Sequence, residues 1–446
     1  MTPGAQVEAA IGLLADIDKG TAPADDLVAE WFRRHRFAGS SDRAAISGHI
    51  YAVLRHRAEL DWWIGRTGGG LPADARNRML AVLVLFEGWR ASQVREACDG
   101  DRFRPAALNE RENALISSLA GREALHPDMP SHVRGNYPEW LDPHLAASLG
   151  KDVARETAAL NGEASLDLRA NLLKVKDRGE ARIALKRDGV EAEITALSPL
   201  GLRLSERVPL GSIPAFKSGL LEVQDEGSQI AAQMADAKPG MRVVDFCAGA
   251  GGKTLALAAS MRNKGHLIAS DISSRRLERA TERLRRAGAS IVQRVPLKNA
   301  RDPWVKKHKA SFDRVFVDAP CTGTGTWRRN PDAKWRLTPE DLAELTALQA
   351  EILDSAARLV KPGGRLVYAT CSLLREEDEE QVEKFLAAHA DFTLLPAWRV
   401  WRDTIGGKPP DKGAMLRLTP ARHGTDGFFV AILERKAVAP DAQPQG

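Results

Sequence analysis

The first third of the chain carries apolar residues at helical spacing. From Asp42, which can cap a helix, Ile46, Ile50, Val53, Leu60 and Ile64 fall on one face, while Arg43, Arg55, Arg57 and Arg66 occupy the remainder. Gly68-Gly69-Gly70-Leu71-Pro72 breaks this pattern. A second helix is predicted through Leu80, Leu83, Val84 and Trp89, and another over residues 110–119. His126-Pro127-Asp128-Met129-Pro130 reads as a turn-rich linker, and Tyr137-Pro138-Glu139-Trp140-Leu141 as the opening of a further helix. The pattern then changes period. Leu166-Asp167-Leu168-Arg169-Ala170-Asn171 alternates as a strand does, and short strands with one helix follow as far as Leu221.

Beyond Gln224-Asp225-Glu226-Gly227-Ser228, which leads into a helix, strands alternate with helices. Val243-Val244 is an apolar β-branched run ending at Asp245. It is followed by Phe246-Cys247-Ala248-Gly249-Ala250-Gly251-Gly252-Lys253-Thr254 and then by the helix-compatible Leu255-Ala256-Leu257-Ala258-Ala259. Strand, tight glycine turn and helix make a ligand-binding turn, because glycines admit close backbone approach and a helix start offers free N–H groups. An ordinary connection in an α/β domain is the alternative. Lys253-Thr254 lacks the earlier glycine of a Walker loop, so a nucleotide phosphate is not the favoured ligand.

Three later runs repeat the logic. Residues 266–270 end at Asp271, residues 313–317 end at Asp318-Ala319-Pro320-Cys321, and residues 365–370 end at Cys371-Ser372. In an open parallel sheet such carboxyl ends line one crevice. Asp271 lies roughly 20 residues beyond the glycine turn, where a carboxylate accepts from ribose hydroxyls, so an adenosine-bearing ligand is expected. Trp327-Arg328-Arg329-Asn330-Pro331-Asp332 and Lys334-Trp335 interleave aromatic and basic residues, a pattern suited to stacking a base and holding phosphates, with a plain surface loop as the alternative. Thr338-Pro339-Glu340-Asp341 begins a helix with Leu342, Leu345, Ile352 and Leu359 on its core face, and Lys361-Pro362-Gly363-Gly364 stops it.

Taken together, the run from Asp245 to Thr254, Asp318-Ala319-Pro320-Cys321-Thr322-Gly323-Thr324-Gly325, and Ala369-Thr370-Cys371-Ser372 resemble the motifs of the RsmB/Nop/Sun family of RNA cytosine methyltransferases. The N-terminal stretch around Arg43-Ala44-Ala45-Ile46 and Asp61-Trp62-Trp63-Ile64 resembles an all-helical, NusB-like RNA-binding domain. The resemblance implies a multi-domain chain: a helical NusB-like domain over 1–127, a small α+β domain over 128–214, and a Rossmann-like α/β methyltransferase domain over 215–436. Residues 437–446, rich in Pro, Ala and Gln, are expected to form a disordered tail. It implies S-adenosyl-L-methionine as cofactor, met by Cys247, Ala248, Gly249, Ala250, Gly251, Gly252, Lys253, Asp271 and Asp318. A further acidic contact is usual in the family where this chain has Asn299, which accepts a hydrogen bond without bringing charge. Cys371 is implied as the nucleophile and Cys321 as the residue that assists release of the covalent adduct. Lys253 is a candidate to raise the thiolate fraction and Asp318 to orient the cytosine. The implied partner is RNA, small-subunit ribosomal RNA in the first place and transfer RNA as the alternative.

Composition narrows this only slightly. In 446 residues, 64 Lys and Arg against 59 Asp and Glu give a net charge of +5, which permits nucleic acid without requiring it. Cys98, Cys247, Cys321 and Cys371 are widely separated, so neither a zinc site nor a disulfide framework is indicated, and a reducing cytoplasm is expected. His35, His49 and His56 have no acidic or cysteine partners at metal-ligand spacing and are expected to pack between helices. No run approaches the ~18 apolar residues of a membrane span, so a soluble protein without a membrane anchor is expected. The chemistry that the resemblance implies needs no metal, and a monomer is expected. A DNA cytosine methyltransferase would need a Glu-Asn-Val motif after its Pro-Cys, and none follows Cys321. A non-catalytic RNA-binding or antitermination module would not need both cysteines, Asp271 and the glycine turn.

Overall fold

The computed structural model describes residues 1–206 and 208–437, so the tail expected over 437–446 lies, after its first residue, outside the described residues. The chain forms two compact units. The first comprises Met1–Glu163 and Trp327–Thr338; the second comprises Ala164–Thr326 and the described residues from Pro339 onward. The boundary expected at 127/128 therefore falls inside the first unit.

In the first unit the described structure is helical. The long helix Ser40–Thr67 buries Ile46, Ile50, Val53, Leu60 and Ile64, as the spacing predicts. Asp42 caps it from inside the first turn, accepting from Gly39 N–H at 3.1 Å, and the backbone departs from helical geometry at His56. Helices Ala75–Leu85 and Glu110–Leu119 complete the same core. His49 bonds Glu87 at 2.8 Å, and His56 stacks on Phe86.

Trp327–Thr338 departs from expectation. Rather than presenting rings to a ligand, it is built into the helical unit: Trp327 and Lys334 are fully buried, and Trp335 Nε1 donates to Leu54 O at 2.7 Å. Lys334 Nζ donates to Asn161 Oδ1 at 2.7 Å, and Arg55 donates to Arg328 O at 3.1 Å. Helix Ala24–Arg34 has Pro23 at its N-cap and no capping side chain of its own; Asp332 supplies one, accepting from Ala24 N–H at 3.1 Å. Burial lowers the Lys334 pKa to about 7, with Arg55 adding to the effect. Aromatic and basic residues in alternation fill an interior as readily as they bind a nucleic acid, provided each nitrogen finds an acceptor.

The second unit holds two sheets. Strands β1 (Leu166–Ala170), β2 (Ala192–Ile194), β3 (Gly201–Leu204) and β4 (Leu221–Val223) form an antiparallel sheet in the order β2-β3-β1-β4. Because β4 belongs to it, this sheet extends past the boundary expected at 214. The alternation of β1 does not mark a solvated face: Asp167 and Arg169 are buried. Asp167 accepts from Arg203, and Arg169 donates to Gly252 O at 3.2 Å, bracing the glycine turn.

The larger sheet contains β5 (Arg242–Asp245), β6 (His266–Asp271), β7 (Val292–Pro296), β8 (Phe312–Asp318), β9 (Val360–Thr370), β10 (Phe392–Leu395), β11 (Leu416–Leu418) and β12 (Phe428–Arg435). Its order is β10-β12-β9-β8-β5-β6-β7, with β11 paired to β12. Strands β5 to β9 run parallel, and β12 runs antiparallel to β9, β10 and β11. The order reverses between β5 and β8, which is where an open sheet of this kind leaves a crevice at its carboxyl edge. Helix Pro339–Ala357 covers one face; Leu342 and Ile352 are buried, while Leu359 lies beyond the end of the helix and is buried all the same. Among the described residues, no helix is long and apolar enough to cross a membrane.

Candidate active site

The crevice is assembled from the carboxyl ends of β5, β6, β8 and β9. After β5, Gly249 and Gly251 adopt φ of 54° and 81°, conformations that side chains rarely take. A Cβ on Gly249 would meet no atom within 4 Å, so open space lies against this backbone; at Gly251 the same atom would stand 3.0 Å from Ala280. Helix Gly252–Ser260 starts there. Arg283 holds the turn from behind, donating to Ala250 O at 2.9 Å.

At the end of β6 the Asp271 carboxylate accepts from Gly249 N–H at 2.9 Å and Ser273 N–H at 2.8 Å. It therefore braces the glycine turn as well as standing at the crevice. Asp245, at the end of β5, is fully buried; its Oδ2 accepts from Thr254 Oγ1 at 2.6 Å while Oδ1 has no partner. Burial raises its pKa to about 7 against the Thr254 hydrogen bond, and the Asp318 charge adds to the rise. The Cys247 thiol, on the same turn, is pushed well above its ordinary range by burial and by Asp245 and Asp271. Asn299 stands apart from these groups in character: it is exposed, and its Oδ1 accepts from Arg301 N–H at 2.9 Å in its own turn beyond β7. Open space against a left-handed glycine, a carboxylate beside it and a helix start fit the nucleoside end of an adenosine-bearing cofactor.

The ends of β8 and β9 carry the sulfur chemistry. Cys321 Sγ and Cys371 Sγ are 3.5 Å apart. The hydrogen bond with Cys371, then burial, then the Glu377 carboxylate hold the Cys321 thiol well above the usual range. Lys253 Nζ donates to Asp318 Oδ2 at 2.5 Å. Burial works against the Lys253 charge, but Asp318 and, less strongly, Cys371 outweigh it and raise its pKa. A retained ammonium thus faces Asp318 and the Cys371 side of the pair, while the Glu377 carboxylate adds to the rise at Cys321.

Several residues of this site carry no motif-like signal. Glu377 and Asp378 sit in an acidic run that reads as a solvated helix start, yet both are fully buried. Burial raises the pKa of each, opposed at Glu377 by hydrogen bonds from Ser372, Thr322 and Gln349 and at Asp378 by Arg417. Arg417 reaches Asp378 at 3.1 Å and donates to Leu373 O at 2.8 Å, beside Cys371. The nearest signal in the sequence is the distance of only six residues between Cys371 and Glu377.

A doubly wound sheet with this glycine turn, a carboxylate on the next strand and its reactive groups at the switch point has the architecture of Rossmann-like methyltransferases. Residues 232–434 match the family described as 16S rRNA methyltransferase RsmB/F. A probable ribosomal RNA small subunit methyltransferase B from Synechocystis sp. is 30% identical over 442 residues, covering 95% of this chain and 98% of the relative. The probable ribosomal RNA small subunit methyltransferase B of Bacillus subtilis is 33% identical, over 68% of this chain and 67% of its own length. The crystal structure of PH0851 superposes with a TM-score of 0.77 at 29% identity, covering 98% of this chain and 99% of that one. The chain belongs to the RsmB/F family of methyltransferases.

Proposed function

We propose that the chain is an S-adenosylmethionine-dependent methyltransferase acting on carbon 5 of cytosine in RNA, with small-subunit ribosomal RNA as the substrate and a covalent cysteine adduct on the path. The observation that carries this reading is the pair of thiols at adjacent strand ends, 3.5 Å apart beside the Lys253–Asp318 ion pair. Carbon 5 of cytosine is a poor nucleophile on its own; a thiolate added to carbon 6 makes it enamine-like. S-adenosylmethionine supplies the methyl group as a sulfonium, and Asp271 with the turn around Gly249 would hold it.

Cys371 is the attacking thiolate in this scheme. Lys253 favours negative charge on that side, whereas Cys321, beside Glu377, keeps its proton. Attack forms the sulfur–carbon 6 bond and moves the ring electrons towards carbon 5, which would take the methyl group as its bond to the sulfonium breaks and a neutral thioether leaves. A base then takes the carbon 5 proton, and the electrons of that bond restore the carbon 5–carbon 6 double bond as the sulfur–carbon 6 bond breaks, with Cys321 assisting release of the Cys371 thiolate. Asp318, held by Lys253, orients the cytosine through its ring nitrogen or amino group. The helical unit, NusB-like in its sequence, positions the RNA, and the enzyme works as a cytoplasmic monomer.

Transfer of labelled methyl groups to RNA, followed by nucleoside analysis, tests the reaction. The expected product is 5-methylcytidine; a methyl group on any other atom overturns the reading. Bisulfite sequencing of ribosomal RNA from a strain lacking the protein identifies the target, and an unaltered small-subunit pattern excludes that RNA.

A further inference from the structure

The carboxylate of Glu377 lies, fully buried, between the two cysteine turns. Its Oε1 accepts from Thr322 N–H at 2.8 Å and from Gln349 Nε2 at 3.0 Å. Its Oε2 accepts from Thr322 Oγ1 at 2.5 Å and from the Ser372 hydroxyl. Thr322 follows Cys321 in the chain, and Ser372 follows Cys371. Gln349 also donates to Pro320 O at 2.9 Å, on the other side of Cys321. The base of the arrangement is fixed to β9, because Tyr368 OH donates to Glu377 O at 2.6 Å.

A carboxylate offers about four lone-pair sites. Here four donors use them, which offsets part of the cost of burying the charge and fixes the geometry of the group. Two of those donors belong to Thr322, and a third to Ser372, so the separation of the turns is set by one rigid group. We propose that Glu377 is the positioning residue of the two-thiol site, setting through Thr322 and Ser372 the distance at which Cys321 reaches an adduct formed on Cys371. This rests on the cysteine-adduct reading above. Glu377 touches neither sulfur and acts only through its neighbours.

Glu377→Gln keeps the volume but turns an amide towards donors that need an acceptor. The test measures closure of a Cys321–Cys371 disulfide by diamide, read by peptide mass spectrometry. Two thiols lose two electrons and two protons to the azo reagent, which leaves as the hydrazine, so neither RNA nor cofactor is needed. Closure is expected to slow, and kcat to fall about 10–100-fold with KM for RNA and cofactor affinity near wild type, as for a misplacement of about 1 Å. Wild-type closure in folded Glu377→Gln protein, or wild-type kcat despite slowed closure, overturns the proposal. Should that variant not fold, the double variant Thr322→Val with Ser372→Ala withdraws the two hydroxyl donors instead, and the same outcomes decide. If wild-type enzyme makes no 5-methylcytosine, the functional reading alone falls, since closure still judges Glu377.

Discussion

The backbones of Gly325 and Gly427 lie directly against each other: a Cβ on either residue would stand 2.6 Å from the Cα of the other. Gly427 N–H donates to Gly325 O at 2.8 Å, and Gly325 N–H donates to Cys371 O at 2.9 Å. The turn after Cys321, the turn at Cys371 and the approach to β12 are thereby joined at one crossing too close for any side chain. Gly427→Ala is expected to destabilise the protein by about 1–3 kcal/mol, the usual cost of forcing atoms into a filled site. It should also lower methyl transfer while leaving cofactor affinity close to wild type. Thermal unfolding and calorimetry check both; an unchanged Tm would show that the crossing yields freely.

Asp271→Ala removes a carboxylate that two backbone N–H groups share with the crevice. S-adenosylmethionine affinity is expected to fall by about 1.5–3 kcal/mol, the range for hydrogen bonds to a charged group. Isothermal titration of the folded variant measures it, and unchanged affinity removes Asp271 from the cofactor site.

The cysteines should fail in different ways. Cys371→Ala is expected to abolish both methyl transfer and covalent attachment to RNA. Cys321→Ala should still attack and methylate, then accumulate as protein bound to RNA that survives denaturing electrophoresis and requires S-adenosylmethionine. The adduct appearing with Cys371→Ala and not with Cys321→Ala would reverse the two roles.

Asp245 gives stability a pH dependence. Its folded pKa, about 7, lies above the ordinary aspartate value of 3.8, so the native state holds a proton that the unfolded chain releases. Its contribution is greatest below about pH 4 and is lost as pH rises through 7, by up to about 4 kcal/mol. Asp245→Asn keeps an acceptor for Thr254 and should flatten that slope. Denaturant titrations from pH 4.5 to 8 measure it; an identical slope in the variant would show that Asp245 is not the titrating group.

The parallel strands and the residues at their ends were readable because each β-branched apolar run stops at a polar residue, and a parallel sheet brings those stops to one edge. Cys321 and Cys371 are legible in that sense: β8 and β9 are neighbours, so residues ending them must meet. Glu377 was not readable, because an acidic run looks the same whether water or hydroxyl groups satisfy it. Asp167 and Arg169 escaped for a related reason, since alternation along β1 reports polarity and not exposure. Trp327 to Trp335 differs again: its composition is that of a nucleic-acid loop, but its rings and nitrogens find partners within the helical unit, at Leu54, Asn161 and Ala24, that lie far away in the sequence.

That segment also bears on how the chain is made. The helical unit draws on Met1–Glu163 and on Trp327–Thr338, so the partners of Leu54, Asn161 and Ala24 lie in a segment that is made only after roughly 160 further residues have followed Glu163. At the usual 5–20 residues per second this is a wait of about 10–30 s, during which the first unit has neither Trp327 and Trp335 nor the Asp332 carboxylate that caps one of its helices. Nascent chains of this protein thus pass through a long interval with an incomplete apolar core at the tunnel exit, in reach of any chaperone stationed there.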